Sequence, residues 1–310
     1  IVDKDGHFSI CVDNPPARFE IEIVKDGKTA AEKTAKEADH VIAVIGCNPV
    51  INSKEEVDRT TIVLPTEQEE LVKRVAAVNP NTIVALISNY PYAIGELEKN
   101  VPAILLSASG SQELGHGIAD VLTGKAAAAG RLNMTWYRSD EDLPDMNDYD
   151  IIQGKRTYQY FDREVLYPFG YGLTYSQIRY SDAHADVTDF GILEPVTVHV
   201  TVENTGTYPV QEAVQVYVRF SEREAYDPGY QLKGIRSVAL ECGEKKEVCI
   251  TLSTRDFALI SEEGKCLVHP GSYEIAVGGQ QPDERSSRLT GQTVSTLFIC
   301  KTGNVTEVEY

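Results

Sequence analysis

The sequence contains no apolar run approaching the roughly 20 residues that a membrane-crossing helix needs, and no signal-peptide pattern opens it. A membrane is therefore not an expected partner. Basic residues are scarce: 29 Lys and Arg stand against 47 Asp and Glu, for a formal charge of -18. A phosphate-binding surface needs concentrated Lys and Arg, so nucleic acid is not an expected partner either. The six cysteines, Cys11, Cys47, Cys242, Cys249, Cys266 and Cys300, show no CxxC spacing and no neighbouring histidine cluster, which argues against a zinc site. Several sit in apolar strand-like runs (KEVCITLS, STLFIC), where a thiol behaves as a small hydrophobe. Reduced structural thiols and a cytoplasmic setting are expected, with no metal and no cofactor.

What is present is ordinary globular material. With 310 residues, 42% hydrophobic and 25% charged, the chain has room for about two domains. Residues 1–28 (HFSICV, a Pro-containing turn, FEIEIV, a turn at Asp26-Gly27) read as the tail of a β-rich module, and two strands alone are not stable. Over 29–137 the pattern alternates helices with wholly apolar strands: TAAEKTAKEAD, HVIAVIG, PTEQEELVKRVAAVN, TIVALIS, a helix near 92–100, PAILLSA, a helix over 112–122, and RLNMTW. Strands apolar on both faces and separated by helices predict a mainly parallel sheet in a three-layer α/β sandwich. Thr66 with Glu69 has the spacing of a capping box, and Asn79-Pro80 closes that helix.

Residues 138–184 are turn-rich and unusually aromatic, and are expected to wrap between domains; their rings could also stack on sugars. From 185 to 310 the text is all-β. VTVHVTV places Val196, Val198, Val200 and Val202 on one face, and AVQVYVRF, EVCITLS, SYEIAV and STLFIC continue the series. Short alternating strands of this kind predict an immunoglobulin or fibronectin III-like sandwich.

Ligands of open parallel sheets bind beyond the carboxyl ends of the strands. The long loop after HVIAVIG carries Lys54, Glu55, Glu56, Asp58 and Arg59 within six residues, which makes it the candidate site; a solvated loop with local ion pairs is the competing reading. His116 reads as a packed or surface histidine. Ser107, Ser109 and Ser111 flank Gly110 without forming a Gly-x-Ser-x-Gly elbow.

The stretch NSKEEVDRTTIVLPTEQEEL resembles the acid/base loop of family 3 glycoside hydrolases. There a glutamate lies three residues before an Asp-Arg pair and a Leu-Pro-x-x-Gln helix start follows; Glu55, Asp58-Arg59 and Leu64-Pro65 fall in step. The likeness continues through SQELGHGIADVLTG, GRLNMTWY, RTYQYFDREVLYPFGYGLTYS, ENTGTYPVQEAVQVYV and YQLKGIRSVAL. It implies an α/β domain plus a fibronectin III-like domain of a retaining, exo-acting β-glucosidase or β-xylosidase. Glu55 would be the general acid/base, Glu56 a charge that raises its pKa, and Asp58 and Arg59 would support the loop by pairing with each other or anchoring it.

The family's nucleophile is an aspartate on a preceding TIM barrel, which this chain does not contain. The first strand and helix of the α/β domain are also missing, Ser111 stands in place of a usual glycine, and Ala129 in place of a usual proline. The expected partners are a β-linked oligosaccharide or glycoside and an N-terminal barrel domain, in the same protein or a separate chain, with room for a homo-oligomer. The chain alone is expected to be inactive. The alternative reading is a non-catalytic carbohydrate-binding or oligomerisation module.

Overall fold

The computed structural model describes residues 26–47, 59–191 and 194–309. The expected strands HFSICV and FEIEIV lie outside them, as do Lys54, Glu55, Glu56 and Asp58. The chain divides into two compact units, Ile1–Ile118 and Ala119–Tyr310. No described helix is long and apolar enough to cross a membrane.

The first unit contains α1 (Gly27–Glu37), β1 (Val41–Gly46), α2 (Thr66–Val78), β2 (Thr82–Ile87), α3 (Gly95–Glu98) and β3 (Ala103–Ser107), and α4 (Leu114–Leu122) runs across its end. The strands form a parallel sheet in the order β1-β2-β3. Ala43, Ile45, Val84 and Leu86 are buried in it, while Ile42 and Val44 on the other face of β1 stay 51% and 61% exposed. The Asp26-Gly27 pair, expected as a turn, begins a helix, because the Asp26 carboxylate accepts from the Lys28 amide and so caps α1.

In α2 the expected capping box is absent. Pro65, with its fixed φ, occupies the cap position, so Thr66 already lies inside the helix and Glu69 pairs with Lys73 one turn on. The end of α2 is tied more firmly than its start. Asn79 is buried, and its Nδ2 donates to the carbonyls of Ala35, in the last turn of α1, and of its C-cap Ala38.

The second unit adds α5 (Thr157–Tyr160), β4 (Ile178–Ala185), β5 (Asp189–Phe190), β6 (Val196–Asn204), β7 (Val210–Phe220), β8 (Gln231–Leu240), β9 (Lys245–Leu252), β10 (Leu259–Ile260), β11 (Cys266–Val268), β12 (Gly271–Gly278), α6 (Glu284–Thr290), β13 (Ser295–Lys301) and β14 (Thr306–Val308). A sheet in the order β4-β6-β9 and another in the order β5-β13-β12-β7-β8 make the sandwich, and β10-β11-β14 is a small extra sheet. The alternation in β6 works as expected: Val196, Val198, Val200 and Val202 enter a core with Val214, Val216, Val248, Leu252, Ile275 and Val277, all nearly inaccessible.

Residues 131–136, expected as a strand of the parallel sheet, are used differently. Leu132 and Trp136 exchange backbone hydrogen bonds with 166–171, which occupies the donors and acceptors a sheet strand would need. The aromatic segment is bound to the sandwich by its own rings. Tyr158 stacks on Phe169 at 4.0 Å and meets Tyr217 of β7 edge-on, and Tyr167 stacks on Tyr171 at 5.3 Å. The Tyr158 hydroxyl accepts from the Leu232 amide. Tyr149, by contrast, is 86% exposed.

A buried polar junction completes this attachment. Arg131 donates through Nη2 to Glu212 Oε2 at 2.8 Å, and the Tyr180 hydroxyl donates to Glu212 Oε1 at 2.8 Å. Beside them Gln215 Nε2 donates to the carbonyls of Gly170 and Gly279, and Tyr217 donates to Gln215 Oε1. Gly170 has φ +77, and a Cβ there would lie 2.4 Å from Gln215 Oε1, so the close approach requires glycine.

Buried phenols give the unit a pH signature. Burial, aided by Glu212, pushes Tyr180 well above its ordinary value of 10.0. Burial likewise raises Tyr217 and Tyr273, and burial with the Glu274 hydrogen bond pushes Tyr230 up to about 12. The unfolded chain releases tyrosine protons near pH ~10 while the native state keeps them, so above that pH the unfolded state binds fewer protons and stability falls. Below it these groups contribute no slope. Urea midpoints measured across alkaline pH should hold steady to about pH 9 and drop beyond about pH 10; a midpoint unchanged well above that range would contradict the burial of these rings.

Candidate active site

The carboxyl end of β1 is held by two sets of backbone bonds. Gln68 of α2 pairs its whole amide with Gly46, Oε1 accepting from the Gly46 amide and Nε2 donating to the Gly46 carbonyl, both at 2.9 Å. The Cys47 amide donates to the Ile87 carbonyl at 2.8 Å. Gly46 has φ +138, and a Cβ there would sit 2.0 Å from the Ile87 oxygen. Only glycine lets β1 end so close to β2, and the chain leaves the sheet from this point.

The chain returns to the described residues at Arg59, whose guanidinium lies over two rings: 5.1 Å from the Tyr90 centroid and 4.7 Å from that of Tyr92. Contacts of this kind contribute roughly 0.5–2 kcal/mol each, more when water is excluded. Tyr90 and Tyr92 follow the end of β2, where Ser88 Oγ donates to the Tyr90 carbonyl and accepts from the Tyr90 amide. Tyr92 is 1% exposed, and burial pushes its phenol upward, with Cys47 adding to the shift and Arg59 opposing it. Tyr90 is 48% exposed. The Ala93 amide donates to the Ile62 carbonyl, and the Ser109 amide after β3 donates to Asn89 Oδ1. The loops that follow all three strands are thus linked along the carboxyl edge of the sheet.

Of the sequence candidates, Arg59 is placed at this edge, over the rings of Tyr90 and Tyr92, with Nη1 buried and, among the described residues, without a hydrogen-bond partner. Glu55, Glu56 and Asp58 lie outside the described residues, so their spacing from Arg59 and the expected Asp58–Arg59 pairing do too. His116 is a surface residue whose Nδ1 lies 2.6 Å from Glu113. Sequence reasoning did not assign roles to Gln68, Tyr90 and Tyr92. Gln68 had a signal, as the last residue of Leu-Pro-x-x-Gln. The tyrosines had none stronger than their place after an apolar strand.

Residues 8–175 match the glycosyl hydrolase family 3 C-terminal domain, which is more than half of the chain. The chain belongs to glycoside hydrolase family 3. Residues 212–281 match a fibronectin type III-like domain, which agrees with the sandwich. Among relatives similar to this family 3 chain, a β-glucosidase of Kluyveromyces marxianus is 35% identical over 271 residues, covering 83% of this chain and 31% of the relative. A β-xylosidase of Formosa agariphila is 32% identical over 258 residues, covering 82% of this chain and 35% of the relative. The crystal structure of the Kluyveromyces marxianus β-glucosidase in complex with glucose superposes with a TM-score of 0.79 at 30% identity, covering 93% of this chain and 35% of that one. The chain therefore spans about a third of the length of these family 3 relatives.

Proposed function

We propose that this chain is the C-terminal part of a retaining, exo-acting β-glycosidase of the β-glucosidase or β-xylosidase type, in which Glu55 is the general acid/base. The nucleophile is an aspartate on a barrel domain outside this chain. Retention needs two carboxyl groups about 5–5.5 Å apart, one attacking the anomeric carbon and one serving the leaving oxygen. In the first step Glu55 gives its proton to the glycosidic oxygen as the aspartate attacks; in the second its carboxylate takes a proton from the water that releases the sugar. An acid with this duty needs a raised pKa, for which the adjacent Glu56 supplies negative charge.

The observation that carries this reading is the fixing of both ends of the segment that holds Glu55. Gln68 and Ile87 hold its start at Gly46-Cys47, and Tyr90 and Tyr92 receive its end at Arg59, all on the ligand-binding edge of a parallel sheet. The names of the family 3 relatives support the reaction class, and they include both a β-glucosidase and a β-xylosidase at similar identity, so the reading does not choose between the two sugars.

The test is an assay of aryl β-glucosides and β-xylosides with the chain alone, with the chain mixed with a barrel-containing N-terminal portion, and with the full-length protein. Turnover is expected only where the barrel is present. Turnover by the chain alone would contradict the division of the two carboxyls. No turnover in the full-length protein would favour the binding or oligomerisation module.

A further inference from the structure

The outer face of the β4-β6-β9 sheet brings together residues that are far apart in sequence. His184 of β4 is in register with His199 of β6, and His199 with Cys249 of β9. Glu247 pairs with Thr201, two residues along, which places it diagonal to His199 on the same face. His199 Nδ1 lies 3.3 Å from Cys249 Sγ and 3.7 Å from Glu247 Oε1, and one donor atom from each of the three residues falls within 4.8 Å of the others.

The two separations from His199 Nδ1 are close to those of coordination, and the third is within 4.8 Å. With metal–N and metal–O bonds of about 2.0–2.2 Å and a metal–S bond of about 2.3 Å, the edges of a tetrahedron are about 3.4–3.6 Å. The imidazole is also held in place. The His184 ring stacks on it, with centroids 4.9 Å apart and planes 9° apart. His184 is itself fixed by its Nδ1, 2.9 Å from the Asp182 carbonyl; a carbonyl only accepts, so that nitrogen carries the hydrogen. On the sulfur side, Arg236 Nη1 donates to the Cys249 carbonyl. Both strands are pinned by continuous pairing from Val196–Leu252 to Glu203–Lys245, so the donor set rests on rigid backbone. His199 is 25% exposed and Glu247 62%, which leaves an entry path and room for water.

We propose that His199, Glu247 and Cys249 form a binding site for a borderline-soft divalent cation of the zinc type, with water as the fourth ligand. One thiolate and one carboxylate balance the dication, and the mixed N, S and O set selects against magnesium and calcium, which take oxygen ligands. The ion clips β6 to β9 on the face away from the core. The absence of CxxC spacing is no obstacle, since the ligands converge through strand register.

The whole chain, stripped with a chelator, is titrated with Co2+ and the spectrum followed. A thiolate-to-cobalt charge-transfer band with four-coordinate d–d bands is expected at one equivalent per chain, and Zn2+ should displace them. Charge transfer is the decisive readout, because the acidic surface could collect cations loosely without a sulfur bond. Cys249→Ser should abolish the band. His199→Gln and Glu247→Gln should weaken Zn2+ binding, measured by chelator competition, by at least on the order of 10- to 100-fold. Cys242→Ser and Cys300→Ser should bind as the parent does. Melting of each metal-free variant beside the metal-free parent identifies any that fails to fold, and either of the other two ligand variants then serves in its place. A band that survives in folded Cys249→Ser, or no band with the parent at large cobalt excess, would overturn the site and leave the His199–Cys249 contact as a cross-strand hydrogen bond.

Discussion

Replacing Glu212 by alanine is expected to destabilise the second unit by about 3–5 kcal/mol, because it leaves the Arg131 guanidinium buried without its carboxylate. The two side chains are 8% and 3% exposed, and the Tyr180 hydroxyl loses its acceptor in the same step. Arg131 keeps carbonyl partners at Gly130 and Gly279, which satisfy protons but do not neutralise charge. The cost is therefore mainly electrostatic. Two further variants separate this from packing. Glu212→Gln retains an oxygen for Tyr180 and should cost less than alanine. The double variant Arg131→Met with Glu212→Leu removes both charges and should be more stable than Glu212→Ala, since exchanging a buried pair for apolar groups is often neutral. Urea unfolding monitored through Trp136, buried beside Tyr167 in this unit, reads all three. A loss below about 1 kcal/mol for Glu212→Ala, the range of an exposed pair, would contradict a desolvated junction.

The second large effect concerns chemistry. In the full-length protein, Glu55→Ala is expected to lower kcat/KM on the order of 10²- to 10⁴-fold for a glycoside with a poor leaving group, which needs a proton as its bond breaks. An activated aryl glycoside departs as a stable phenolate and should lose far less in that first step. Its turnover should then be limited by the second step, where the general base is missing and a glycosyl-enzyme accumulates. Equal losses on both substrates would remove Glu55 from the acid/base role and point instead to a part in binding or folding.

Much of the fold is legible wherever one face of an element is consistently apolar. The valines of β6 and the runs in β9 and β13 alternate strictly enough to fix both strand and orientation, while β7 and β12 are buried on both faces over 214–218 and 275–278 and read as strands from their apolar, β-branched runs. β8, which enters only through the resemblance of YQLKGIRSVAL, has no strand pattern of its own because all its residues but Leu240 are half-buried or exposed, so burial imposes little alternation on its sequence. Residues 131–136 are apolar enough for a sheet strand, yet their backbone groups are claimed by 166–171, a choice made by tertiary pairing and invisible to local pattern. Thr66 and Glu69 had capping-box spacing, and a preceding proline moved the helix start by one residue.

The candidate site was legible as a place more than as a geometry. Sheet topology puts the start of the loop after β1 at the carboxyl edge of the sheet, and Arg59 lies there on Tyr90 and Tyr92. The residues that make YPFGYGLTYS and ENTGTYPVQEAVQVYV distinctive have a structural purpose instead: Gly170, Glu212, Gln215 and Tyr217 meet in the junction that binds the segment before β4 to the sandwich. The His199–Cys249 pair, 50 residues apart, depends wholly on strand register. No spacing rule along the chain could have brought it out.

The most direct test of the central claim is the product formed when azide rescues Glu55→Ala in the full-length protein acting on an activated aryl glycoside. If Glu55 is the acid/base, the aspartyl intermediate still forms on one face and azide attacks from the other, so NMR should show a β-glycosyl azide with retained configuration. An α-glycosyl azide would mean that the nucleophile had been removed, and no azide adduct with unchanged turnover would mean that Glu55 serves neither step.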